Sequence, residues 1–142
     1  MLSLHADTSH VIQLAVGPAF MLAAIGGTLT VLTNRLARVN DRTLKRRDER
    51  PDADPATQAD IDAELRTLRQ RARIINAAVC CGAACAIVVC LLIGLLFLTN
   101  ELAIAFDRPV AVLFIVAMLA LIATYWLLLV EIFVAQRSLH PS

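Results

Sequence analysis

The chain has 142 residues, of which 58% are hydrophobic and 18% are charged, and its formal net charge at pH 7 is +1. The hydrophobic share exceeds the roughly 45–50% of ordinary soluble proteins. A net charge so close to zero excludes a nucleic-acid binder that works through overall positive charge. This length leaves room for one domain, so we expect residues 1–142 to form a single domain.

Three stretches of the sequence contain no Asp, Glu, Lys or Arg: residues 8–34, 74–100 and 109–130. About 20 apolar helical residues cross the hydrocarbon core of a bilayer, and each stretch reaches that length. A soluble globule with three buried helices would need more amphipathic helix to cover them than the one polar segment provides. The sequence therefore predicts an all-α integral membrane protein, one membrane domain whose three transmembrane helices cover about residues 10–34, 74–99 and 109–134.

The basic residues are concentrated between the first two spans. Residues 35–73 hold eleven of the thirteen Lys and Arg residues, and none precedes residue 35. Because Lys and Arg mark the cytoplasmic side of a membrane, we expect the N-terminus outside, residues 35–73 and the C-terminus in the cytoplasm, and the protein in the bacterial inner (cell) membrane. With no basic segment before it, the first span is expected to be an uncleaved anchor rather than a signal peptide.

The first span carries a stripe of small and polar residues. They recur in steps of four, four, three, four and three, each close to one helical turn. This small-residue stripe comprises Ala15, Ala19, Ala23, Gly26, Thr30, Thr33 and the adjacent Asn34. Small residues let helices approach closely in lipid, so the stripe predicts helix packing, within the chain or between copies. The alternative is that Thr30, Thr33 and Asn34 line an oligomeric pore.

Two apolar seams and a Pro-containing turn organise the basic segment 35–73. The seams step by three and four residues, as in paired helices; they consist of Leu29, Leu32, Leu36 and Val39, and of Ile61, Leu65, Leu68, Ala72 and Ile75. Pro51 and Pro55 favour a turn, and Thr57 with Asp60 resembles a capping box. We predict a cytoplasmic antiparallel helical hairpin, similar to a coiled coil, that extends spans one and two. The alternative is a loosely ordered charged loop.

The second span contains all four cysteines, Cys80, Cys81, Cys85 and Cys90. Thiols clustered in a membrane segment are one pattern expected of soft-metal transport. At about 100° per residue, however, Cys80 and Cys90 share one helix face whereas Cys81 and Cys85 lie on another, so one helix cannot present all four to one ion. Cys in such a segment behaves as a small apolar residue. We predict no metal site, no cofactor and no structural disulfide.

One acidic residue, Glu131, lies near the end of the third span with apolar residues on both sides. Ionisable residues near a membrane usually face protein and have a charged partner. By depth, the predicted partner is Arg35, Arg38 or Arg73; the alternative is an interfacial carboxylate that reaches water. We define the charge layer, a structural clamp or a gate, as Arg35, Arg38, Asp41, Arg42, Arg73 and Glu131.

No motif in the sequence predicts an enzyme. The sequence contains no Gly-rich phosphate loop, no metal-binding His spacing and no nucleophile constellation. The basic segment is also a poor nucleic-acid site, because eight acidic residues alternate with its eleven basic ones and it contains no aromatic residue. Attraction of Arg35, Arg38 and Arg42 to anionic lipid headgroups fits this pattern better.

Three segments carry a likeness to known proteins: "IQLAVGPAFMLAAIGGTLTVLTNRLARVNDR", the entry "LRTLRQRARIIN" to the second span, and "LLLVEIF" in the third. Together they resemble a family of small bacterial membrane proteins of unknown function with three predicted spans. The resemblance covers residues 12–137, and its most specific part is the Gly-Pro of the first span followed by "NRLARVNDR". It implies the fold but no activity, and it directs interest to Pro18, Arg35, Arg38, Asp41, Arg42 and Glu131.

These patterns favour a non-catalytic homo-oligomeric assembly or scaffold protein. Its partners would be the lipid bilayer, its own copies and a cytosolic protein that contacts the hairpin. The alternative is an oligomeric ion channel or small-solute transporter, lined by Thr30, Thr33 and Asn34 and gated by Arg35 with Glu131. A membrane enzyme ranks third.

Overall fold

The computed structural model describes residues 2–102 and 107–137, with side chains described for residues 9–10, 12–99 and 108–137. Within these residues it contains three helices: α1 spans Leu2–Glu49, α2 spans Pro55–Leu102 and α3 spans Asp107–Arg137. Each includes a segment long and apolar enough to cross a membrane. The predicted all-α fold with three helices long and apolar enough to cross a membrane is confirmed.

Both long helices continue from the apolar into the charged part of the sequence. α1 runs through "NRLARVNDR" and ends at Glu49, 15 residues past Asn34, and α2 begins at Pro55, 19 residues before Ile74. No Gly or Pro lies between residues 28 and 50, so nothing interrupts the backbone hydrogen bonds of α1 there. The composition changes at residues 34 and 74 therefore fall inside continuous helices. A loosely ordered charged loop does not describe this segment, in which residues 50–54 alone join α1 to α2.

The start of α2 is set by Asp54 and Pro55. Pro55 occupies the first helical position, where its missing N–H leaves no hydrogen bond unmade. The carboxylate of Asp54 accepts hydrogen bonds from the hydroxyl of Thr57 and from its backbone N–H (3.5 Å), and these bonds lower the pKa of Asp54. Asp54 is therefore the N-cap. The predicted capping box of Thr57 with Asp60 is wrong, because Thr57 already lies in the first turn.

One compact unit consists of Met1–Leu29 and Cys81–Ile122. Its core contains Ile25 of α1, Cys85 of α2 and Ala117 of α3, each no more than 1% exposed. The Cys85 thiol donates a hydrogen bond to the backbone carbonyl of Ala117 at 3.1 Å, which joins α2 to α3. The small side chains at these two positions permit that close approach.

The second compact unit consists of Thr30–Cys80 and Ala123–Ser142. Its core cluster comprises Leu32, Val39, Leu68, Ile75 and Ala78, with Leu36, Ala72, Val79, Leu127 and Leu128 packed against it. Several core residues are seven apart because seven residues make about two helical turns. All nine residues of the two predicted seams are buried or half-buried. The apolar spacing thus identified the packed faces of α1 and α2.

Candidate functional site

Among the described side chains, Glu131 is the only charged group that is fully buried, with 0% exposure. It follows Ala117 by fourteen residues and Thr124 by seven, and both are also buried, so the helical repeat places it on the packed face of α3. Burial of an ionised carboxylate costs several kcal/mol unless the charge is paired. Cationic partners are therefore required at this position.

Glu131 contacts two arginines, one from each of the other helices. The guanidinium of Arg35 on α1 forms an ion pair with Oε2 of Glu131. Arg71 on α2 donates to Oε1 from Nε at 3.1 Å and from its terminal nitrogen at 2.9 Å. One carboxylate therefore links all three helices within the second unit. We call Arg35, Arg71 and Glu131 the buried triad.

The triad contains one predicted partner and one that the sequence reading missed. Arg35 belongs to the three predicted arginines, whereas Arg38 and Arg73 do not contact Glu131. Arg71 was missed although a signal for it exists: Ala78, Cys85 and Leu92 are buried on α2 in steps of seven, and Arg71 precedes Ala78 by the same step. On α3, Ala117, Thr124 and Glu131 are likewise buried in steps of seven, and Glu131 is the last of the three. Extending both lines into the charged part of the sequence would have selected Arg71.

A cavity of about 290 Å³ adjoins the buried triad. We call it the arginine cavity; it is lined by Arg35, Arg38, Val39, Arg42, Leu68 and Arg71. Val39 and Leu68 are core residues with 4% and 3% exposure, so they supply an apolar floor. The four arginines supply a wall of guanidinium groups from both α1 and α2.

Within the described residues, two of the arginines that line the cavity, Arg35 and Arg38, have hydrogen-bond donors without an acceptor. The exposed side chain of Arg38 forms no ion pair or hydrogen bond with another described residue. The Nε of Arg35 is buried and has no acceptor among them. Oε2 of Glu131, although in ion-pair contact with Arg35, also lacks a well-aligned hydrogen bond. The cavity is therefore polar and incompletely satisfied on its arginine side.

Ion pairs continue from the cavity toward the turn between α1 and α2. Glu64 accepts from Arg42 (2.7 Å) and pairs with Arg46 (2.8 Å). Arg50 donates two hydrogen bonds to Asp62 at 2.8 and 3.0 Å, and this contact raises the pKa of Arg50 and lowers that of Asp62. Such exposed pairs contribute little to stability because water and salt screen them. Their effect is mainly to set which residues of the two helices meet.

Two other members of the predicted charge layer lie away from the triad. Arg73 is exposed and does not line the arginine cavity. Asp41 is exposed and lines a separate cavity of about 380 Å³, together with Arg42, Lys45, Arg46 and Glu49. With respect to described residues, neither side chain forms an ion pair or a hydrogen bond. The structure thus gathers Arg35, Arg38 and Arg42 around one cavity but leaves Asp41 and Arg73 outside it.

The small-residue stripe of α1 lies mostly on the surface of the chain. Ala15 is buried at 9% exposure. The remaining members are exposed: Ala19, Ala23, Gly26, Thr30, Thr33 and Asn34. A Cβ atom added at Gly26 or at the neighbouring Gly27 would meet nothing within 4 Å.

The four cysteines point in different directions. Cys80 and Cys90 are exposed, Cys81 is half-buried and Cys85 is buried, and all four are free thiols. Within the described part of the chain, no group of three His, Cys, Asp or Glu side chains is placed to hold a metal ion. The arrangement follows the helical spacing, which separates Cys80 and Cys90 from Cys85.

Three long apolar helices with a buried ion triad define a multi-pass helical membrane protein. The chain belongs to the DUF2721 family of proteins of unknown function, whose sequence model matches residues 15–140. No curated protein and no solved structure matches the chain. The family membership agrees with the resemblance found in the sequence, and it adds no activity to the description of the site.

Proposed function

We propose that this protein is a non-catalytic homo-oligomeric assembly protein of the bacterial inner membrane. The observation that carries the proposal is the exposure of the small-residue stripe on α1. Lipid tails are as apolar as the side chains of a membrane helix, so the hydrophobic effect does not drive two such helices together. Their association depends instead on close backbone packing at small residues. An exposed stripe with open space at Gly26 offers that packing to a second copy.

The stripe and the internal seam lie on different faces of α1. Taking about 100° per residue, the stripe is centred roughly 130° from the line of Ile25, Leu32 and Val39. The seam faces helices of the same chain, since those three residues are buried. A neighbouring copy could therefore contact the exposed stripe without displacing the buried seam. This geometry favours association between copies over packing within the chain.

The charged parts of α1 and α2 form the cytoplasmic element of this proposal. As residue numbers rise on α1, the contacted residues fall on α2: Arg42 pairs with Glu64, and Arg50 with Asp62. That order is expected of an antiparallel, coiled-coil-like hairpin. Its eleven basic residues support a cytoplasmic location by the positive-inside rule. There it is available to a cytosolic protein partner.

Association through the stripe is tested by a matched pair of substitutions. Ala23 lies on the stripe and Ala24 on another face of α1, and both are exposed. Ala23→Leu should shift the monomer–oligomer equilibrium toward monomer by tenfold or more, because a larger side chain blocks close helix approach. Ala24→Leu should leave it unchanged. The measurement is sedimentation equilibrium in detergent micelles. A monomeric parent protein, or an equal response to both substitutions, would contradict the proposal.

A second candidate function is an oligomeric ion channel or small-solute transporter. The observation that favours it is the exposure of Thr30, Thr33 and Asn34 on the stripe face of α1, next to the charged segment. In a ring of copies these polar groups could line a pore, with the buried triad at its inner end.

Flux measurements separate the two candidates. Under the assembly proposal, liposomes that contain the purified protein should release ions no faster than empty liposomes. Flux that is present in the parent protein and reduced by Thr33→Leu would favour the channel instead, because the substitution removes a polar lining group. Val31→Leu is the control, since Val31 is exposed but lies off the stripe.

A further inference from the structure

We propose that the arginine cavity is a binding site for a phosphate group. The inference concerns a ligand of the second unit, and it does not depend on the assembly role proposed above. Its elements are the charge of the cavity, its unused donors, its size and its place along the sequence.

The charge of the cavity favours an anion. Four guanidinium groups line it. The carboxylates that pair with these arginines are Glu131, with Arg35 and Arg71, and Glu64, with Arg42. Four cations against two anions leave an excess of two positive charges around one opening. An oxyanion there would be attracted by that excess and would reduce the repulsion between the arginines.

The donors in the cavity match phosphate. Arg38 makes no ion pair with a described residue, and the buried Nε of Arg35 has no acceptor among them. Arg38 is exposed, so its guanidinium can donate to a bound oxyanion as it stands. The planar donor fork of arginine fits two phosphate oxygens at once. A tetrahedral phosphate also presents oxygens in several directions, as donors from both α1 and α2 require.

The size of the cavity is sufficient. Its volume of about 290 Å³ is roughly ten times the ~30 Å³ that a water molecule occupies in the liquid. A phosphate group fits with space left for an ester substituent. Val39 and Leu68 form an apolar floor beneath the guanidinium groups. The site can therefore accept a phosphate that is free or one that is esterified.

The place of the cavity along α1 corresponds to the headgroup layer. Arg35 directly follows the uncharged residues 8–34, and Arg42 lies about 10 Å further along at 1.5 Å per residue. The polar layer outside the hydrocarbon core is about 5–7 Å deep on each side. Lipid phosphates therefore occupy the same depth as Arg35 and Arg38. A free phosphate from the aqueous phase offers the same chemical group, and experiment separates the two sources.

The test uses the full-length protein in dodecyl maltoside, a detergent without charge or phosphate. It is titrated with short-chain phosphatidylglycerol, short-chain phosphatidylcholine and inorganic phosphate, at constant ionic strength. A ligand that binds the folded state raises the unfolding temperature in a saturable manner. We expect saturation with at least one phosphate probe. Saturation at lowest concentration with a lipid identifies a headgroup site, and saturation with inorganic phosphate alone identifies a free-phosphate site.

Arg38→Gln should weaken this binding about tenfold or more, the effect of one charged hydrogen bond. Without a probe its unfolding temperature should be no lower than that of the parent protein, because the substitution removes one of the mutually repelling charges. The matched control is Arg69→Gln, an exposed arginine of α2 outside the cavity, which should keep the parent affinity. If Arg38→Gln fails to fold, Arg38→Lys replaces it and should still bind more weakly than Arg69→Gln. No saturable response to any probe, or equal weakening by both substitutions, overturns the proposal.

Discussion

Glu131 has no exposed surface, so Arg35 and Arg71 replace the water that would otherwise solvate its carboxylate. These arginines keep 25% and 18% of their side chains exposed, which reduces the desolvation cost on the cationic side. Glu64 offers an internal comparison, because it also contacts two arginines but is itself 25% exposed. The two carboxylates differ in burial more than in the number of their partners.

The difference in burial predicts a difference in stability. Glu131→Gln keeps the size of the side chain but leaves two arginines facing a neutral amide in a buried site. We expect a loss of about 3 kcal/mol, the range found when one partner of a buried ion pair is removed. Glu64→Gln should cost about 1 kcal/mol or less, as for surface pairs. The measurement is reversible unfolding in mixed micelles, followed by circular dichroism. Equal losses in the two variants would show that burial of Glu131 is not the decisive factor.

At the scale of the helices, apolar spacing predicted which faces of α1 and α2 pack, because every seam residue is buried or half-buried. It did not select Arg71 over Arg73. The two residues lie at nearly the same depth, yet they are about 200° apart around the helix. Depth in the membrane alone does not distinguish Arg71 from Arg73. Glu131 contacts Arg71 because only that arginine lies on the face of α2 that packs toward it.

Other element-level predictions depended on competing local signals. Thr57 and Asp54 are both acceptable N-caps, and Pro55 decides between them because proline suits the first helical position. The small-residue stripe predicted close packing but left its partner open, since small side chains permit approach by any helix. In the structure, every member of the stripe except Ala15 is exposed on the surface of the chain. Local sequence therefore specifies faces and caps better than it specifies partners.

At the scale of the whole molecule, most of the apolar surface is left uncovered. In the most apolar 18-residue stretch of each helix, only 17% of the residues of α1, 22% of those of α2 and 11% of those of α3 are buried within the chain. Lipid and neighbouring copies are the surroundings in which such a surface is stable. The charged parts of α1 and α2 require water instead. The chain thus needs two environments at once, and the positive-inside rule predicts that the arginine-rich side faces the cytoplasm.

This orientation has a direct test. A green fluorescent protein inserted at Asp54 or fused after Arg137 should fluoresce, because both positions are expected in the cytoplasm where it folds. Alkaline phosphatase at the same positions should be inactive, since it requires the periplasm. The expected pattern follows from eleven basic residues in the segment 35–73. Active phosphatase at Asp54 would mean that the opposite orientation is correct.

The buried triad also imposes an order on biosynthesis. Ribosomes produce α1 and α2 before α3, so Arg35 and Arg71 are in place before the chain contains Glu131. Until then the two arginines repel each other, and the apolar seam together with the ion pairs of Glu64 and Asp62 holds the two helices together. When α3 packs against the other two helices, the carboxylate of Glu131 attracts both arginines and offsets their repulsion. Of these three helices, the one translated third therefore completes the charge balance of the first two.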